Sequence, residues 1–309
     1  MFKALSETLK CCQGEMRQTE MEPMARHTTL KMGGPADMMV FPSNEKDIQL
    51  LLNETTRKGI PVQIIGKGSN LLVREGGIRG LVVKIDKEFS GVEIEGTQVV
   101  CFAGTSMSHL AHTVAQAGLS GLEFAAGIPG TVGGGIYMNA GAYGGEMKDV
   151  VKTVQGFTFS GEPFEYSNAD MGFAYRHSRA QTEGLVMTKA VFTLQRANPE
   201  GIFEKMADFA ARRREKQPLS ELSCGSTFKR PDGHYAAALI EGCGLKGKKI
   251  GLCEVSEKHA GFLISSPGGK AEDYLALLAL VQKEVYDKTG VMLTPEVRIL
   301  GEEAPAELI

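Results

Sequence analysis

Apolar positions along the first half of the chain follow helix and strand spacing in alternation. Residues 45–58 carry apolar side chains at helical intervals, with Ser43 as the expected N-cap and Gly59 as the stop. A second capped helix is predicted over about 105–117, ended by Gly118. Short apolar runs around these helices predict strands at 62–65, 71–73, 80–85 and 97–103.

The second half of the chain has longer patterns. Residues 151–159 and 184–194 alternate apolar and polar positions, which is typical of half-buried antiparallel strands. A charge-rich helix is predicted over about 201–216 and an amphipathic helix over 271–288, before a final strand at 295–300. This mixture of elements predicts an α+β fold.

Changes in the pattern divide the chain into predicted parts. Residues 1–25 are a polar N-terminal extension, and residues 26–82 and 83–198 form two subdomains. Residues 201–309 form a smaller C-terminal α+β domain, whose last strand could pack back on the first subdomain.

Composition and charge exclude several classes of protein. The formal net charge of −3 gives no general attraction to nucleic acid or to an anionic membrane. No apolar stretch approaches about 18 residues, and the N-terminus lacks the apolar core of a signal peptide. The six cysteines show no metal-ligand spacing, so we expect no metal and a reducing compartment. The expectation is a cytoplasmic protein, monomeric or weakly oligomeric, without membrane or nucleic-acid partners.

Two glycine-containing segments imitate nucleotide-binding motifs. Residues 66–71 follow a predicted strand, as in a Rossmann fingerprint, but the third glycine is missing and no crossover helix fits before residue 82. Gly242 to Lys249 resembles a P-loop, but Lys249 stands where the magnesium-binding Ser or Thr is needed. Both interpretations are therefore rejected.

Glycine is concentrated in one stretch of the chain. Of the 38 glycines, nine lie in residues 121–145, which contain no Lys or Arg. The backbone N–H groups of Gly127, Gly130 and 133–135 could hold a pyrophosphate, with Asn139 as a side-chain donor. A tight structural corner of small residues explains the same spacing, and spacing alone leaves both interpretations open.

Several separated motifs occur in one order along most of the chain. They are RHTTLKMGGPAD (26–37), IGKGSNLLV (65–73), GIPGTVGGGIYMNAGAYGGE (127–146), YRHS (175–178), KQP (216–218), SCGSTFKRP (223–231), KHAGF (258–262) and PEVRILGE (295–302). With these motifs the chain resembles the UDP-N-acetylenolpyruvoylglucosamine reductase family, within the flavoprotein superfamily of vanillyl-alcohol oxidase and p-cresol methylhydroxylase. The resemblance implies a two-part FAD-binding domain of that superfamily's type and a smaller α+β domain that binds the substrate.

The resemblance also implies that FAD lies between the two glycine-rich segments. Many oxidases of the superfamily carry a flavin-linked His in the first glycine turn, whereas the turn here is GKGSN. We therefore expect non-covalent FAD. The implied FAD contacts are Gly66, Lys67, Gly68, Ser69, Asn70, Leu71, Gly127, Pro129, Gly130, Thr131, Gly133, Gly134, Asn139 and Gly141.

The reaction implied by the resemblance needs three kinds of side chain. Reduction of an enol ether conjugated to a carboxylate builds negative charge beside that carboxylate, which must be stabilised and then protonated. The family match assigns Arg176 to the carboxylate and the enolate, Glu296 to the enolate as a neutral acid, and Ser226 to proton donation. From the residues alone, an ion-paired surface arginine, a structural turn hydroxyl and a solvated strand-edge glutamate remain open.

Further residues are implied for the substrate. Lys216 falls where the family places a substrate-binding lysine and suits the UDP diphosphate, and Tyr175 and Arg230 are expected in the same pocket. NADPH is the implied co-substrate: it reduces FAD, and hydride from flavin N5 then converts UDP-N-acetylglucosamine enolpyruvate to UDP-N-acetylmuramate for peptidoglycan synthesis.

Two alternatives remain beside this reductase function. One is an FAD-dependent oxidase of a sugar or alcohol on the same fold, and the other is a non-catalytic flavin-binding module. The connection between Leu194 and the helix at 201 is short. The longer insertion that covers the substrate in larger family members is therefore missing, which indicates the shorter subtype.

Overall fold

A computed structural model describes Ser6, Leu9 and residues 16–303. Its α-helices are α1 (Glu45–Lys58), α2 (Met107–Gln116), α3 (Val132–Tyr137), α4 (Ala180–Glu183), α5 (Pro199–Lys216), α6 (Ala236–Gly242) and α7 (Ala271–Thr289). Short 3₁₀ helices cover Met24–Arg26, Lys87–Phe89, Glu123–Ala125 and Met147–Asp149.

The strands are mostly short. They are β1 (Arg17–Pro23), β2 (Pro35–Phe41), β3 (Val62–Ile65), β4 (Leu71–Val73), β5 (Ile78–Lys84), β6 (Val92–Glu95), β7 (Gln98–Phe102), β8 (Leu119–Ser120), β9 (Gly141–Ala142), β10 (Gly145–Glu146), β11 (Val151–Thr158), β12 (Pro163–Ser167), β13 (Leu185–Thr193), β14 (Gln195–Arg196), β15 (Leu222–Ser223), β16 (Lys249–Ile250), β17 (Cys253–Val255), β18 (Leu263–Ser265) and β19 (Arg298–Leu300). The helices and strands predicted from the apolar patterns are confirmed within a few residues at each end.

Contacts between residues divide the chain into two compact units. Unit 1 comprises the described residues up to Glu20 together with Met38–Lys67 and Gly80–Arg212. Unit 2 comprises Met21–Asp37, Gly68–Arg79 and the described residues from Arg213 onward. The division into subdomains made from the sequence stays a prediction.

Unit 1 contains a five-stranded antiparallel sheet. Its order is β12-β11-β13-β7-β6. The strands predicted from the alternation at 151–159 and 184–194 pair with each other, and Val154 lies opposite Ala190, both fully buried. Helices α2 and α3 cover this sheet, with Leu110, Val114 and Ile136 in the shared core. Because one face of this sheet is buried, apolar and polar residues alternate along these strands.

A second sheet, most of whose residues belong to unit 1, has the order β1-β2-β5-β3. Helix α1 packs Ile48, Leu51 and Leu52 into the core formed with Leu81 and Val83 of β5. β3 and β5 pair in parallel, and no helix lies between them in the chain. A Rossmann unit needs a crossover helix at this place, so its rejection is confirmed.

The cap of α1 differs from the sequence prediction. Ser43 was the expected N-cap, but the side chain of Asn44 accepts the hydrogen bond from the Asp47 N–H at 2.9 Å. Serine and asparagine are both good caps, so the sequence could not decide between adjacent candidates. The predicted stop is confirmed, since Gly59 adopts the left-handed conformation at the C-cap.

Unit 2 is an α+β assembly of its own. The sheet β15-β18-β17-β16 packs against the buried face of α7, which contributes Tyr274, Leu277, Val281 and Val285 to the core. β16 and β17 form an antiparallel hairpin, so the segment that imitates a P-loop runs into a strand instead of the helix that motif requires, and its rejection is confirmed. β19 pairs in parallel with β4.

The cysteines described by the structure are buried free thiols: Cys101, Cys224, Cys243 and Cys253. Cys11 and Cys12 lie outside the described residues. Among residues 16–303, no helix combines the length and apolar character that crossing a bilayer requires.

Candidate active site

The glycine turn after β3 approaches the glycine-rich loop very closely. A Cβ atom added at Gly66 would overlap the Oγ1 atom of Thr131. Thr131 is buried and caps α3, because its hydroxyl oxygen accepts the Gly134 N–H at 3.3 Å. The missing side chain at Gly66 leaves its backbone uncovered, and a pyrophosphate needs uncovered backbone in order to approach amide groups without steric obstruction, so this part of unit 1 fits a dinucleotide.

The amides of the glycine-rich loop are not all available, which corrects the simple nest expected from the sequence. Gly133 donates its N–H to the Ala103 carbonyl at 2.9 Å, and Gly135 donates to the Thr131 carbonyl at 2.8 Å. The Gly135 bond belongs to the first turn of helix α3, whereas the Gly133 bond joins that helix to the residue that follows β7. For Gly127 and Gly130, by contrast, the N–H groups donate no hydrogen bond to any described residue. The amides of these two glycines are therefore open to a phosphate.

Asn139 makes its side-chain hydrogen bonds within the protein. Its side chain was a predicted FAD donor, but it is fully buried and both its N–H hydrogens are used. They go to the Glu146 carboxylate at 2.9 Å and the Ala174 carbonyl at 3.0 Å, while its Oδ1 accepts the Lys148 N–H at 3.0 Å. Asn139 therefore holds the glycine-rich segment to the turn that contains Tyr175 and Arg176.

Arg176 lies at the tip of a tight turn in unit 1. Ala174 and His177 exchange backbone hydrogen bonds, and Arg176 between them has a φ of +54°, unusual for a residue with a side chain. Gln181 supports this conformation, donating from its amide to the Arg176 carbonyl at 3.0 Å and to the Tyr137 carbonyl at 2.8 Å. The guanidinium reaches the Gly141 carbonyl at 3.5 Å. The predicted FAD segment and the predicted carboxylate-binding arginine are therefore joined within unit 1.

Ser226 lies in an exposed loop of unit 2 whose neighbours are firmly anchored. Gly225 has a φ of +83°, which only glycine adopts easily, and Thr227 is fully buried. Thr227 donates its N–H to the Gly261 carbonyl at 2.9 Å. Its hydroxyl oxygen accepts the Leu263 N–H at 3.1 Å. A serine between these two residues has little freedom to move.

Glu296 is joined to the same loop. Its N–H donates to the Thr227 carbonyl at 2.7 Å, and its own carbonyl accepts the side-chain amide of Asn70 at 3.1 Å. Asn70 also accepts the Arg298 N–H at 3.0 Å through its backbone carbonyl. Unit 2 thus brings together Ser226, Glu296 and the end of the GKGSN turn, although these segments are far apart in the chain.

The remaining predicted residues are distributed between the units. Gly66 and Lys67 belong to unit 1, whereas residues 68–71 belong to unit 2. Lys216 is the exposed last residue of α5. Arg230 stacks over the Tyr235 ring at 4.0 Å from its centroid. These positions leave the cationic groups accessible to an anion.

Sequence reasoning missed the residues that anchor the Ser226 loop from below. The Tyr274 hydroxyl lies 3.1 Å from Thr227 Oγ1 and 3.3 Å from Cys224 Sγ. Burial raises the pKa of Cys224 to about 11, so this thiol stays protonated. The only sign of Tyr274 in the sequence was a tyrosine on the apolar face of a predicted helix, and a tyrosine at such a position usually serves only to pack the core.

An open pocket of about 300 Å³ lies beside Pro218 in unit 2. Three glutamates line it, against one lysine, Lys258, whose ammonium group already donates to the Arg214 carbonyl at 2.6 Å. An acidic lining repels a diphosphate, so this pocket does not suit the nucleotide end of the predicted substrate. Its lining residues are Pro218, Ser220, Glu221, Glu254, Ser256, Glu257, Lys258 and Ile264.

Comparison with known families first defines the class of protein. Residues 36–166, which contain the close approach at Gly66 and the glycine-rich loop, match the family described as "FAD binding domain". Residues 217–300 match the family described as "UDP-N-acetylenolpyruvoylglucosamine reductase, C-terminal domain". The molecule is therefore a flavoprotein oxidoreductase with FAD as its cofactor, and the predicted cofactor is confirmed.

Similar whole proteins define the family. A UDP-N-acetylenolpyruvoylglucosamine reductase of Caldanaerobacter subterraneus subsp. tengcongensis is 46% identical over 303 residues, which are 98% of this chain and 100% of that protein. The enzyme of that name from Lactobacillus acidophilus is 46% identical over 92% of this chain and 95% of its own. The chain belongs to the UDP-N-acetylenolpyruvoylglucosamine reductase family.

A solved structure confirms the fold. The crystal structure of the UDP-N-acetylenolpyruvylglucosamine reductase of Thermus caldophilus superimposes with a TM-score of 0.80 at 31% identity, covering 92% of this chain and 98% of that one. The predicted fold class, a superfamily-type FAD-binding domain plus a smaller α+β domain, is thereby confirmed. The individual site residues stay predictions.

Proposed function

We propose that this protein reduces UDP-N-acetylglucosamine enolpyruvate to UDP-N-acetylmuramate, with NADPH as the reductant, in peptidoglycan biosynthesis. The observation that carries this proposal is the hydrogen bond of 2.7 Å from the Glu296 N–H to the Thr227 carbonyl. It places the proposed proton donor, Ser226, and a proposed enolate-stabilising carboxyl on adjoining backbone segments. Family membership supplies the substrate class, and this geometry supports the chemistry.

The electrostatic problem of the reaction is the negative charge beside the substrate carboxylate. When bound, FAD supplies the two-electron transfer from NADPH to the substrate double bond. Arg176 binds the carboxylate through its guanidinium fork and stabilises the charge that builds up on the adjacent carbon. Glu296, in its protonated form, shares that stabilisation by donating a hydrogen bond.

Ser226 then donates its hydroxyl proton to the same carbon. A serine hydroxyl is a weak acid, but an enolate carbon is a strong base, so the transfer needs no activating histidine. The exposed position of Ser226, next to the buried Thr227, holds the hydroxyl at the surface of unit 2 where a substrate can reach it. Because the donor is fixed on one face of the substrate double bond, the carbon that receives the proton acquires a single configuration.

The nucleotide end of the substrate is bound by cationic and aromatic side chains in this proposal. Lys216 and Arg230 attract the diphosphate, and Tyr175 contributes a half-exposed ring. FAD is held by the fourteen residues predicted for it, with Gly127 and Gly130 as backbone donors and Asn139 as a support for the loop. The C-terminal segment from residue 201 serves the substrate together with Tyr175 and Arg176, and the other segments before it serve FAD.

The proposal is tested by measuring the two half-reactions separately without oxygen. NADPH should bleach the flavin absorbance, and the enolpyruvyl nucleotide should then restore it. Ser226→Ala should leave the bleaching rate unchanged and slow the recovery by about 10²–10⁴-fold, the usual contribution of a general acid. Ser266→Ala, at an exposed serine of the same unit, is the matched control and should leave both rates unchanged.

Two outcomes would contradict the proposal. A wild-type protein whose bleached flavin is not restored by the enolpyruvyl nucleotide lacks this substrate, and rapid recovery with oxygen would then indicate the oxidase alternative. A Ser226→Ala protein that recovers as fast as wild type shows that the proton comes from another group.

A further inference from the structure

A chain of buried polar groups lies directly beneath the Ser226 loop. Tyr274, on α7, is fully buried, and its hydroxyl is 3.1 Å from the Thr227 hydroxyl and 3.3 Å from the Cys224 thiol. These two partners flank Ser226 in the sequence, one on each side. A single hydroxyl on a long helix therefore contacts both ends of the segment that carries the proposed proton donor.

The remaining bonds of Thr227 show why this contact matters. Its N–H, carbonyl and hydroxyl each have a partner, in Gly261, Glu296 and Leu263 respectively, besides Tyr274. Thr227 is consequently the point at which the Ser226 loop, the Glu296 segment and helix α7 meet. Displacing its side chain moves both the proton donor and the proposed enolate-stabilising carboxyl.

The hydroxyl of Tyr274 has no evident packing purpose. The other buried positions on the same face of α7 are apolar, namely Ala271, Leu277, Leu278, Val281 and Val285. A phenylalanine would bury the same ring there without the cost of removing a hydroxyl from water. Retaining a buried hydroxyl is stabilising only if its hydrogen bonds are made, and here both known partners belong to the active-site loop.

We propose that Tyr274 is a positioning residue for proton transfer, which acts through Thr227 and Cys224 to hold Ser226 in its reactive orientation. This proposal rests on the proton-donor role proposed above for Ser226. Tyr274 itself touches neither substrate nor cofactor in this proposal. Small displacements of a reacting group reduce rates strongly, so the effect should appear in the substrate half-reaction alone.

The test is a double-mutant cycle in the full-length, FAD-loaded protein. Tyr274→Phe should slow the recovery of flavin absorbance by the enolpyruvyl nucleotide by about 10- to 100-fold while NADPH bleaching is unchanged. In the Ser226→Ala background the same substitution should have no further effect, because the group that it positions is gone. Tyr286→Phe, at an exposed tyrosine of the same helix, is the matched control.

The outcomes separate this proposal from the one on which it rests. If Ser226→Ala slows recovery but Tyr274→Phe does not, or if Tyr274→Phe slows it equally in both backgrounds, the positioning role is overturned and the proposed function stands. If Ser226→Ala has no effect, both are overturned. Should Tyr274→Phe fail to fold, Thr227→Val replaces it: recovery should slow as above, and Thr227→Ser should restore most of the lost rate.

Discussion

The two units anchor their predicted site residues by different physical means. In unit 1 the glycine-rich segment and the Arg176 turn are fixed by bare glycine backbone and by hydrogen bonds to backbone groups: a close approach at Gly66, the buried side-chain amide of Asn139 and a left-handed arginine. In unit 2 the Ser226 loop is fixed by side-chain hydroxyls on a helix, through Thr227 and Tyr274. A side-chain carbon added at Gly66 would disturb the first arrangement, and loss of the Thr227 or Tyr274 hydroxyl would disturb the second.

This difference agrees with what each part is proposed to do. A pyrophosphate held by amides requires backbone that is bare and correctly turned, so its residues are small. A proton donor requires one oxygen at one place, so the residues around it supply directional hydrogen bonds. We therefore expect substitutions in unit 1, at its glycines or at the side chains that bond to its backbone, to lower stability most, and a change of protonation to have its effect through unit 2.

Replacement of Asn139 is the harshest test of the backbone anchoring. Asn139→Ala removes three hydrogen bonds at a φ of +42°, which asparagine tolerates better than alanine, so the free energy of unfolding should fall by about 3–4 kcal/mol. Asn139→Gly removes the same bonds without the backbone strain and should cost somewhat less. Urea unfolding measures both values. Equal stability of wild type and the alanine variant would show that the buried amide does not hold the segment.

A single added methyl group tests the close approach. Gly66→Ala should lower the free energy of unfolding by about 2 kcal/mol and weaken FAD retention during gel filtration, because the new Cβ overlaps Thr131. Gly201→Ala is the opposite control, since Gly201 lies in α5 with open space around it and should gain up to about 1 kcal/mol from helix propensity. An FAD-saturated, fully stable Gly66→Ala protein would contradict the tight fit.

Loss of the α3 cap should have a moderate effect. Thr131→Ala removes the oxygen that accepts the Gly134 N–H and should lower the free energy of unfolding by about 1 kcal/mol. Thr131→Ser keeps that oxygen and should stay within a few tenths of wild type. The comparison is made by thermal unfolding of the FAD-loaded proteins, and identical losses in both variants would indicate that the methyl group matters instead of the cap.

The smallest expected effect is a pH dependence that belongs to unit 2. Burial lowers the pKa of the His259 imidazole, which also accepts the Gly261 N–H through Nδ1 at 3.1 Å. As the pH falls, His259 is protonated in the unfolded chain before it is protonated in the folded protein. The contribution of neutral His259 to stability is therefore complete above about pH 6.5 and is lost as the pH falls through the lowered folded-state pKa. His259→Gln should flatten that part of the stability profile. If stability falls at acidic pH in the variant just as in wild type, other groups cause that fall.

Much of the fold was predictable because the buried faces leave periodic patterns. The helices at 45–58 and 271–288 and the strands at 151–159 and 184–194 follow directly from spacing. Helix α3 was not foreseen, because a run of three glycines is a poor helix former. It forms because Thr131 caps it, and because Gly133 and Gly135 pack so closely on neighbouring residues that a Cβ would meet Ala103 at 3.0 Å and Met107 at 2.7 Å.

The site was predictable only where its chemistry is local. The glycine-rich segment is evident from its composition. Composition could not show which of its amides donate hydrogen bonds within the protein. Ser226 and Glu296 have no common pattern in the sequence, because a backbone bond across two loops joins them. Only resemblance to the family singled them out. Tyr274 was invisible to both approaches, since a tyrosine on an apolar helix face is indistinguishable from ordinary packing.

The parallel pairing of β4 with β19 has a consequence for synthesis on the ribosome. Asn70 and Glu296, which flank this pairing, are 226 positions apart, so translation at ordinary bacterial speed separates their emergence by roughly 10–45 s. For that interval β4 has no partner strand, and its edge is open to other nascent chains or to chaperones. Slower codons late in the message would lengthen this exposure, and the yield of native protein should fall accordingly.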